Sequence, residues 1–198
     1  AQVTVNHHSG FLSPTGMHAV QGSSIGSGFI VSEAGTGAND GRVTFLEDGT
    51  FNRQTVVEGL PSIISEGFAS GPHDATLSKN DLFVALGETL DPILNSTVVR
   101  FDLNVTPWAL GMPPLTTADI AEIIPVHAFV ASQGYAHSNV FSMVLGRKNN
   151  LFIVDAGANA IIRYDLKTSA LSVYVDIPGE PNPTSVGPPI IDAVPTRL

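Results

Sequence analysis

The chain has 198 residues, of which 43% are hydrophobic and only 14% are charged, so it is long enough to bury a substantial core. Asp and Glu number 18 against 9 Lys and Arg, and the net charge of −9 repels nucleic-acid phosphates and anionic membrane surfaces. There is no cysteine, which excludes disulfides and thiolate metal sites. No apolar run reaches the roughly 18 residues that a membrane span needs, so we expect neither nucleic-acid binding nor membrane insertion.

The N-terminal segment indicates export. Residues 1–5 are typical of the mature end that signal-peptide cleavage leaves, so we expect a secreted protein, extracellular or periplasmic. Adjacent side chains in a strand point in opposite directions, and we therefore interpret His7 and His8 as a solvated pair rather than a chelate. The sequons at Asn95 and Asn104 would be used only in a eukaryotic secretory pathway.

Three nearly continuous hydrophobic runs recur along the chain, as expected for strands buried on both faces. They occupy residues 29–35, 82–88 and 151–157. A polar turn precedes each run, and a lead-in strand precedes each turn, at residues 14–20, 72–77 and 138–144. Third strands follow at residues 41–45, 97–101 and 160–164, and fourth strands at residues 54–57 and 171–175.

Each unit is thus a four-stranded antiparallel meander, and four-stranded repeats of about 40–50 residues are β-propeller blades. We predict an all-β fold, a partial β-propeller that forms a single domain over residues 1–198. Its three blades are expected at residues 12–65, 70–115 and 136–180.

The segment between the second and third blades is assigned to an insertion at residues 116–135. A capping-box spacing begins at Thr116, isoleucines follow it, and Pro125 blocks continuation of a helix. These features predict a short helix at residues 117–124.

The end of the chain resembles the beginning of another unit. Residues 183–186 and 192–198 look like lead-ins to further strands, so we predict the start of a fourth blade. Propellers close with about four to eight blades, and three blades alone leave sheet faces and edges open. We therefore expect a homo-oligomer or a second fragment that completes the ring, or assembly into a filament.

Several motifs resemble the ScyD/ScyE family of the scytonemin cluster, which is related to NHL and gluconolactonase-like propellers. They are Val31-Ser32-Glu33-Ala34-Gly35, Gly59-Leu60-Pro61-Ser62, Ser138-Asn139, residues 154–163 and Val194-Pro195-Thr196. The resemblance covers nearly the whole chain in order, and it implies an extracellular or periplasmic propeller with no settled activity. Three features depart from the family. Asn139-Val140-Phe141 stands where the family has Asn-Pro-Tyr, and Asn149-Asn150 stands where it has an aspartate-glycine turn. The chain also corresponds only to the N-terminal half of the longer family.

Acidic and polar residues end the hydrophobic runs and begin the lead-in strands. In a propeller these strand ends converge on the central channel, where oxygen ligands suit calcium or a polar ligand. Gluconolactonase-like propellers hold a divalent metal there with Glu, Asn and Asp, so the resemblance implies a metal site, with calcium as the expected ion. The predicted metal ligands are Glu33, Asp74, Asn139 and Asp155, and His73 and Glu88 are predicted to line the channel rim. Alternatively, these side chains cap strands and bind turn amides.

Three other patterns have structural interpretations. Residues 22–26 match Gly-x-Ser-x-Gly, but that motif works only on a strand-to-helix turn, and here it lies in a hairpin turn before a strand. Arg42, Arg100 and Arg163 are assigned to matched positions in the three units, which favours pairing with neighbouring strands over an anion site. Trp108 is expected to anchor the Pro-rich loop around it.

We therefore predict a non-enzymatic, secreted propeller that serves as a binding or self-assembly module. The alternative is a metal-dependent hydrolase or lyase of the gluconolactonase-like kind, acting at a metal on the axis. About one bound metal ion per ring would favour the enzyme, whereas a concentration-dependent melting temperature would favour assembly.

Overall fold

The computed structural model describes residues 9–197. The predictions for residues 1–5 and for His7 and His8 lie outside the described residues. Strands dominate this part of the chain, and they form three four-stranded antiparallel sheets and two short hairpins. No helix in the described range has the length and apolar character needed to cross a membrane.

Each four-stranded sheet is a meander, because strands that neighbour each other in the sheet also follow each other in sequence. The first sheet contains β1 (Pro14–Ser23), β2 (Gly26–Glu33), β3 (Gly41–Glu47) and β4 (Arg53–Leu60). A hairpin of β5 (Ile63–Ser65) and β6 (Phe68–Ser70) precedes the second sheet, with β7 (Pro72–Ser78), β8 (Asp81–Leu86), β9 (Thr97–Asp102) and β10 (Glu122–Ile124). After helix α1 (Val126–Ser132), the third sheet contains β11 (Val140–Leu145), β12 (Asn150–Asp155), β13 (Ala160–Asp165) and β14 (Ala170–Asp176). A last hairpin pairs β15 (Glu180–Pro181) with β16 (Ile190–Ile191).

The three sheets pack as consecutive propeller blades. Their first strands lie together on the inside, where β7 contacts both β1 and β11. Because strand residues alternate between two faces, the second sheet contributes to two cores. Val84 packs in one core with Phe45 of the first sheet, and Phe83 packs in the other core with Ile153 of the third sheet. The predicted all-β, propeller-like class with four-stranded blades and a short helix is confirmed.

The register of the strands shows that the three hydrophobic runs are equivalent. In each sheet the first strand is the inner strand, and its first residue lies opposite the last residue of the second strand. The three pairs are Pro14 with Glu33, Pro72 with Leu86, and Val140 with Asp155. An irregularity of the β-bulge type follows directly in all three inner strands. Bulges bend a strand and redirect its side chains, so the residues just after these positions are placed alike in every sheet.

The short helix exists, but its predicted position at residues 117–124 is wrong. Only Thr117–Asp119 forms a helical turn, and Glu122–Ile124 is instead β10, the outer strand of the second sheet. Ile124 is fully buried in the core between the second and third sheets, so pairing with β9 overrides the local helix signal. The α-helix begins at Val126, directly after the proline that was expected to end it, and the second blade extends into the predicted insertion.

The three recurring arginines are not all equivalent. Arg100 and Arg163 lie opposite matched phenylalanines of β8 and β12. Arg42 instead lies opposite Glu33 and forms an ion pair with it at 2.7 Å. The predicted threefold repetition is therefore wrong for Arg42, whose role is specific to the first sheet.

Two smaller predictions are confirmed. Trp108 is only 2% exposed and packs edge-on against Phe45, with ring centroids 6.4 Å apart, so it anchors its loop to the first core. The residues that match the Gly-x-Ser-x-Gly pattern join β1 to β2 in a tight turn, which has no helix after it to support a nucleophile.

Candidate functional site

A polar cavity lies where the inner strands of the three sheets meet. Its volume is about 140 Å³, close to that of a cavity able to hold benzene. It is lined by pairs of residues: Thr15 and Gly16 of β1, His73 and Asp74 of β7, Phe141 and Ser142 of β11, and Thr196 and Arg197 of the C-terminal segment. In every inner strand the pair directly follows the residue at which the bulge begins. We call this space the axial cavity.

Asp74 joins the three inner strands at the axial cavity. Its Oδ1 accepts hydrogen bonds from His18 Nε2 at 2.7 Å and from the N–H of Ala75 at 3.0 Å. Its Oδ2 accepts a hydrogen bond from the N–H of Met143 at 3.0 Å. The carboxylate is buried, and one side chain thereby connects β1, β7 and β11.

Residue 16 has to be glycine, because Asp74 and the backbone of His73 occupy the space that a side chain would need. A Cβ at residue 16 would lie 2.7 Å from Asp74 Oδ1 and 2.7 Å from the carbonyl oxygen of His73. Cβ atoms do not approach other atoms so closely, so only glycine allows β1 and β7 to meet at this point. The close approach forms one wall of the axial cavity.

His73 is almost completely buried, and its tautomer is set by its partners. Nδ1 donates to the carbonyl oxygen of Val140 at 3.0 Å, and Nε2 lies 3.5 Å from Ser70 Oγ. The ring packs against Phe141 with centroids 4.7 Å apart. Burial lowers the pKa of His73, although the Val140 carbonyl and the charge of Asp74 oppose this shift.

Because His73 is buried, we expect the free energy of unfolding to fall as the pH is lowered. The pKa of His73 is lower in the folded state than its ordinary value of 6.5, so the unfolded state binds the proton more readily. The contribution of His73 is constant above about pH 7, and below about pH 6.5 it should lower the free energy of unfolding by up to about 1.4 kcal/mol per pH unit. Urea unfolding at about pH 7.5 and 5.5 measures this loss.

His73→Asn is the matched variant for this measurement, because its amide can still donate toward Val140 but does not titrate. We expect a smaller loss of stability between the two pH values in the variant than in the wild type. An equal loss in both proteins would show that His73 is not the group that titrates.

Glu33 lies away from the axial cavity. It is fully buried, and its carboxylate accepts hydrogen bonds from Arg42, Thr44 and the N–H of Leu12. These contacts fasten the segment before β1 to the end of β2. Glu33 therefore caps its strand, which is the role that the sequence left open beside metal binding.

Asp155 occupies the equivalent position in the third sheet and is also fully buried. It accepts hydrogen bonds from Ser138 Oγ at 2.6 Å and from the N–H groups of Asn139, Gly157 and Ala158 at 2.7, 3.1 and 3.0 Å. Four donors around one carboxylate hold the turn after β12 against the segment before β11.

Asn139 and Glu88 meet through a backbone contact. Asn139 Oδ1 accepts a hydrogen bond from the N–H of Glu88 at 3.1 Å, and Glu88 itself is exposed. Within residues 9–197, no three His, Asp or Glu side chains are placed together to hold a metal ion. The predicted calcium ligands are divided instead among three places, with Asp74 at the axial cavity, Glu33 in the first sheet, and Asp155 beside Asn139 in the third.

Of the residues that line the axial cavity, sequence reasoning identified only His73 and Asp74. It missed Thr15, Gly16, Phe141, Ser142, Thr196 and Arg197. The observed inner strands begin at Pro14, Pro72 and Val140, and their lining pairs follow these residues directly, but the predicted third lead-in began at residue 138 and so was out of step. Thr15, Ser142 and Thr196 carry only hydroxyls and Gly16 has no side chain, so a search for charges and motifs passed over them, while Phe141 and Arg197 join the site only through the fold.

Neither a comparison with protein families nor one with curated proteins finds a match. Among solved structures, the chain is similar to a structural-genomics protein of unknown function from Bacteroides thetaiotaomicron, with 15% identity and a TM-score of 0.49 over 84% of this chain and 32% of that one. It is also similar to Mala s 1, the major allergen of Malassezia sympodialis, with 14% identity and a TM-score of 0.42 over 77% of this chain and 46% of that one. The chain thus spans less than half the length of either structure. Its fold and site define an all-β protein with three successive four-stranded sheets around a polar axial cavity.

Proposed function

We propose that the protein is a secreted, non-enzymatic module of the ScyD/ScyE propeller type that self-associates through the outward faces of its first and third sheets. The motif resemblance in the sequence supports the family, and the extracellular or periplasmic setting of that family supports secretion. The observation that carries self-association is the apolar character of these two outward faces.

The third sheet turns one face to the second sheet and the other face outward. On the outward face, Phe152 packs edge-on against Tyr174, with ring centroids 4.8 Å apart. Tyr174 is 58% exposed and Val144 is 40% exposed, and Ile161 on the same face is half-buried. Arg163 lies on the same face opposite Phe152, and the exposed apolar side chains around it form a patch of the kind that marks interaction surfaces.

The outward face of the first sheet carries an apolar groove of about 430 Å³. Met17, which is 55% exposed, lines the groove with Phe11, Val31 and Leu46. The guanidinium of Arg53 lies 5.1 Å from the centroid of the Phe11 ring, a cation–π contact that holds the ring at the groove. A groove on one end face and an exposed tyrosine on the other suit contact between two copies.

The internal packing of the chain indicates how two copies meet. The first sheet packs on the second through one core, and the second packs on the third through another. Placing the third sheet of one copy on the first sheet of the next continues this series and covers both apolar faces. Such a contact is head-to-tail, so it closes into a ring where the rotation fits and otherwise extends as a filament.

Charged substitutions on either face test this proposal. Tyr174→Lys and Met17→Lys should each shift the protein from an oligomer toward the 20.7 kDa monomer, because association would bury an unpaired charge. Leu90→Lys is the matched control, since Leu90 is 86% exposed but lies in the loop between β8 and β9, outside both faces. Sedimentation velocity over a concentration series measures the mass of each protein.

A mixture of the two variants separates head-to-tail contact from contact between identical faces. Tyr174→Lys keeps an intact groove and Met17→Lys keeps an intact third-sheet face, so together they regain one unmodified contact and should form heterodimers. Absence of heterodimers would overturn the head-to-tail arrangement. A wild-type protein that stays monomeric at every concentration would overturn self-association itself.

The hydrolase or lyase alternative needs acidic side chains with oxygens free to bind a metal. Glu33 and Asp155 use their oxygens for hydrogen bonds to protein donors, and neither of them lines the axial cavity, where Asp74 would be the one carboxylate among the predicted metal ligands. This geometry favours a binding module over metal-dependent hydrolysis.

A further inference from the structure

The axial cavity has a repeating construction that extends to the C-terminal segment. Proline stands directly before the lining pair in three of the four contributing segments, at Pro14, Pro72 and Pro195. The N–H of Val194 donates to Asn159 Oδ1 at 3.2 Å, which holds this segment beside the third sheet. Thr196 and Arg197 thereby reach the axial cavity, as matched pairs do from the three inner strands.

Within the described residues, two groups at the axial cavity are without a protein partner: the buried Ser142 hydroxyl and the solvent-exposed Arg197. Ser142 is only 6% exposed, and its buried Oγ makes no hydrogen bond within the described part of the chain. The guanidinium of Arg197 is in none of the ion pairs found among residues 9–197. Guanidinium groups recognise carboxylates through charge-assisted hydrogen bonds, and a nearby hydroxyl adds a further donor.

Asp74 determines which carboxylate can enter. Among residues 9–197, its Oδ1 has two partners, whereas its Oδ2 accepts a hydrogen bond from the N–H of Met143 alone. A carboxylate oxygen has about two acceptor sites, so Oδ2 keeps one for a ligand. A plain carboxylate would bring two negative charges together, but a ligand hydroxyl next to the carboxylate would donate to Oδ2.

We propose that the axial cavity binds a small 2-hydroxy carboxylate. Arg197 and Ser142 Oγ hold the ligand carboxylate, Asp74 Oδ2 accepts the ligand hydroxyl, and the ring of Phe141 packs against the ligand carbon chain. The cavity volume of about 140 Å³ accommodates a ligand of roughly the size of benzene. The net charge of −9 opposes anion entry, but physiological salt screens charges farther than about 8 Å away, so the local groups decide.

Lactate is the probe for this proposal, and two close analogues separate its interactions. Lactamide keeps the hydroxyl but has no charge, and propionate keeps the charge but has no hydroxyl. In an NMR titration of the full chain, lactate should cause saturable shifts at the amides of His73, Phe141 and Ser142. Lactamide and propionate should each bind roughly tenfold more weakly, because each loses one charge-assisted hydrogen-bond partner.

Variants of the two unpartnered groups provide the second part of the test. Arg197→Gln should weaken lactate binding roughly tenfold and remove the preference over lactamide, and Ser142→Ala should weaken lactate binding to a smaller extent. Arg163→Gln is the matched control, since Arg163 is an exposed arginine of β13 outside the axial cavity, and it should leave lactate binding unchanged.

Three outcomes would overturn the proposal: no saturable shift at the cavity amides, equal binding of lactate and lactamide, or the same weakening by Arg163→Gln as by Arg197→Gln. Arg197 also lines the groove on the first sheet, so sedimentation of Arg197→Gln accompanies the titration. Weaker lactate binding at an unchanged mass assigns the effect to the axial cavity, and a monomeric wild type that still binds lactate refutes self-association alone.

Discussion

Replacing Glu33 with alanine should lower the free energy of unfolding by about 3–5 kcal/mol, the cost of leaving one partner of a buried ion pair without the other. Arg42 loses its carboxylate partner at 2.7 Å and keeps its bond to the Gly10 carbonyl oxygen, and the Thr44 hydroxyl and the N–H of Leu12 lose their acceptor. A typical domain is stable by only about 5–15 kcal/mol, so this variant should be partly unfolded at moderate temperature. Urea unfolding at neutral pH measures the difference.

Three further variants make this result specific. Glu33→Gln keeps an acceptor oxygen and should lose about half as much stability. Adding Arg42→Ala to Glu33→Ala should recover part of the loss, since no unpaired guanidinium remains. Glu58→Ala removes an exposed strand carboxylate and should stay within about 0.5 kcal/mol of the wild type. A Glu33→Ala protein as stable as the Glu58→Ala protein would contradict the capping role of Glu33.

The three meanders could be predicted because their central strands carry a strong signal. A strand covered on both faces is apolar at nearly every position, as in residues 82–88, and polar turn residues mark both of its ends. The same signal predicts that Leu82 and Leu151 are equivalent, which the register confirms. The fold class therefore followed from local sequence alone.

The outer strand of the second sheet could not be predicted from local sequence. Its residues, Glu122–Ile124, are too few to show the alternation that identifies a strand. The capping box at Thr116 is real, but it serves a single helical turn. β10 is held in place because Ile124 is buried against the third sheet. This contact joins residues that are distant in sequence, so local sequence cannot predict it.

The candidate site, like the fold, could be predicted from local sequence only in part. Asp74 and His73 were identified because their side chains are polar and open a lead-in strand. Their roles depend on residues far along the chain, since His18 and Met143 lie 56 and 69 positions from Asp74. Local sequence therefore marked which residues are polar, but only the assembled inner strands showed that one carboxylate bridges all three.

This bridge leads to the second large effect that we expect. Asp74→Ala should lower the free energy of unfolding by about 3 kcal/mol, because it removes a charge-assisted bond to His18 and leaves the buried N–H of Met143 without an acceptor. The loss should be concentrated between the sheets. Hydrogen exchange should therefore accelerate at the Met143 amide more than at Ile153, whose own sheet pairing stays intact.

Asp74→Asn tests whether charge or shape holds the inner strands together. Asparagine keeps one acceptor oxygen but turns a donor toward either His18 or the N–H of Met143, so it should lose at least half as much stability as alanine. If asparagine is as stable as aspartate, the negative charge contributes nothing to the bridge. If neither variant speeds exchange at Met143, the inner strands are held by the two cores alone, and Asp74 would then be retained in the sequence for its remaining acceptor site at the axial cavity.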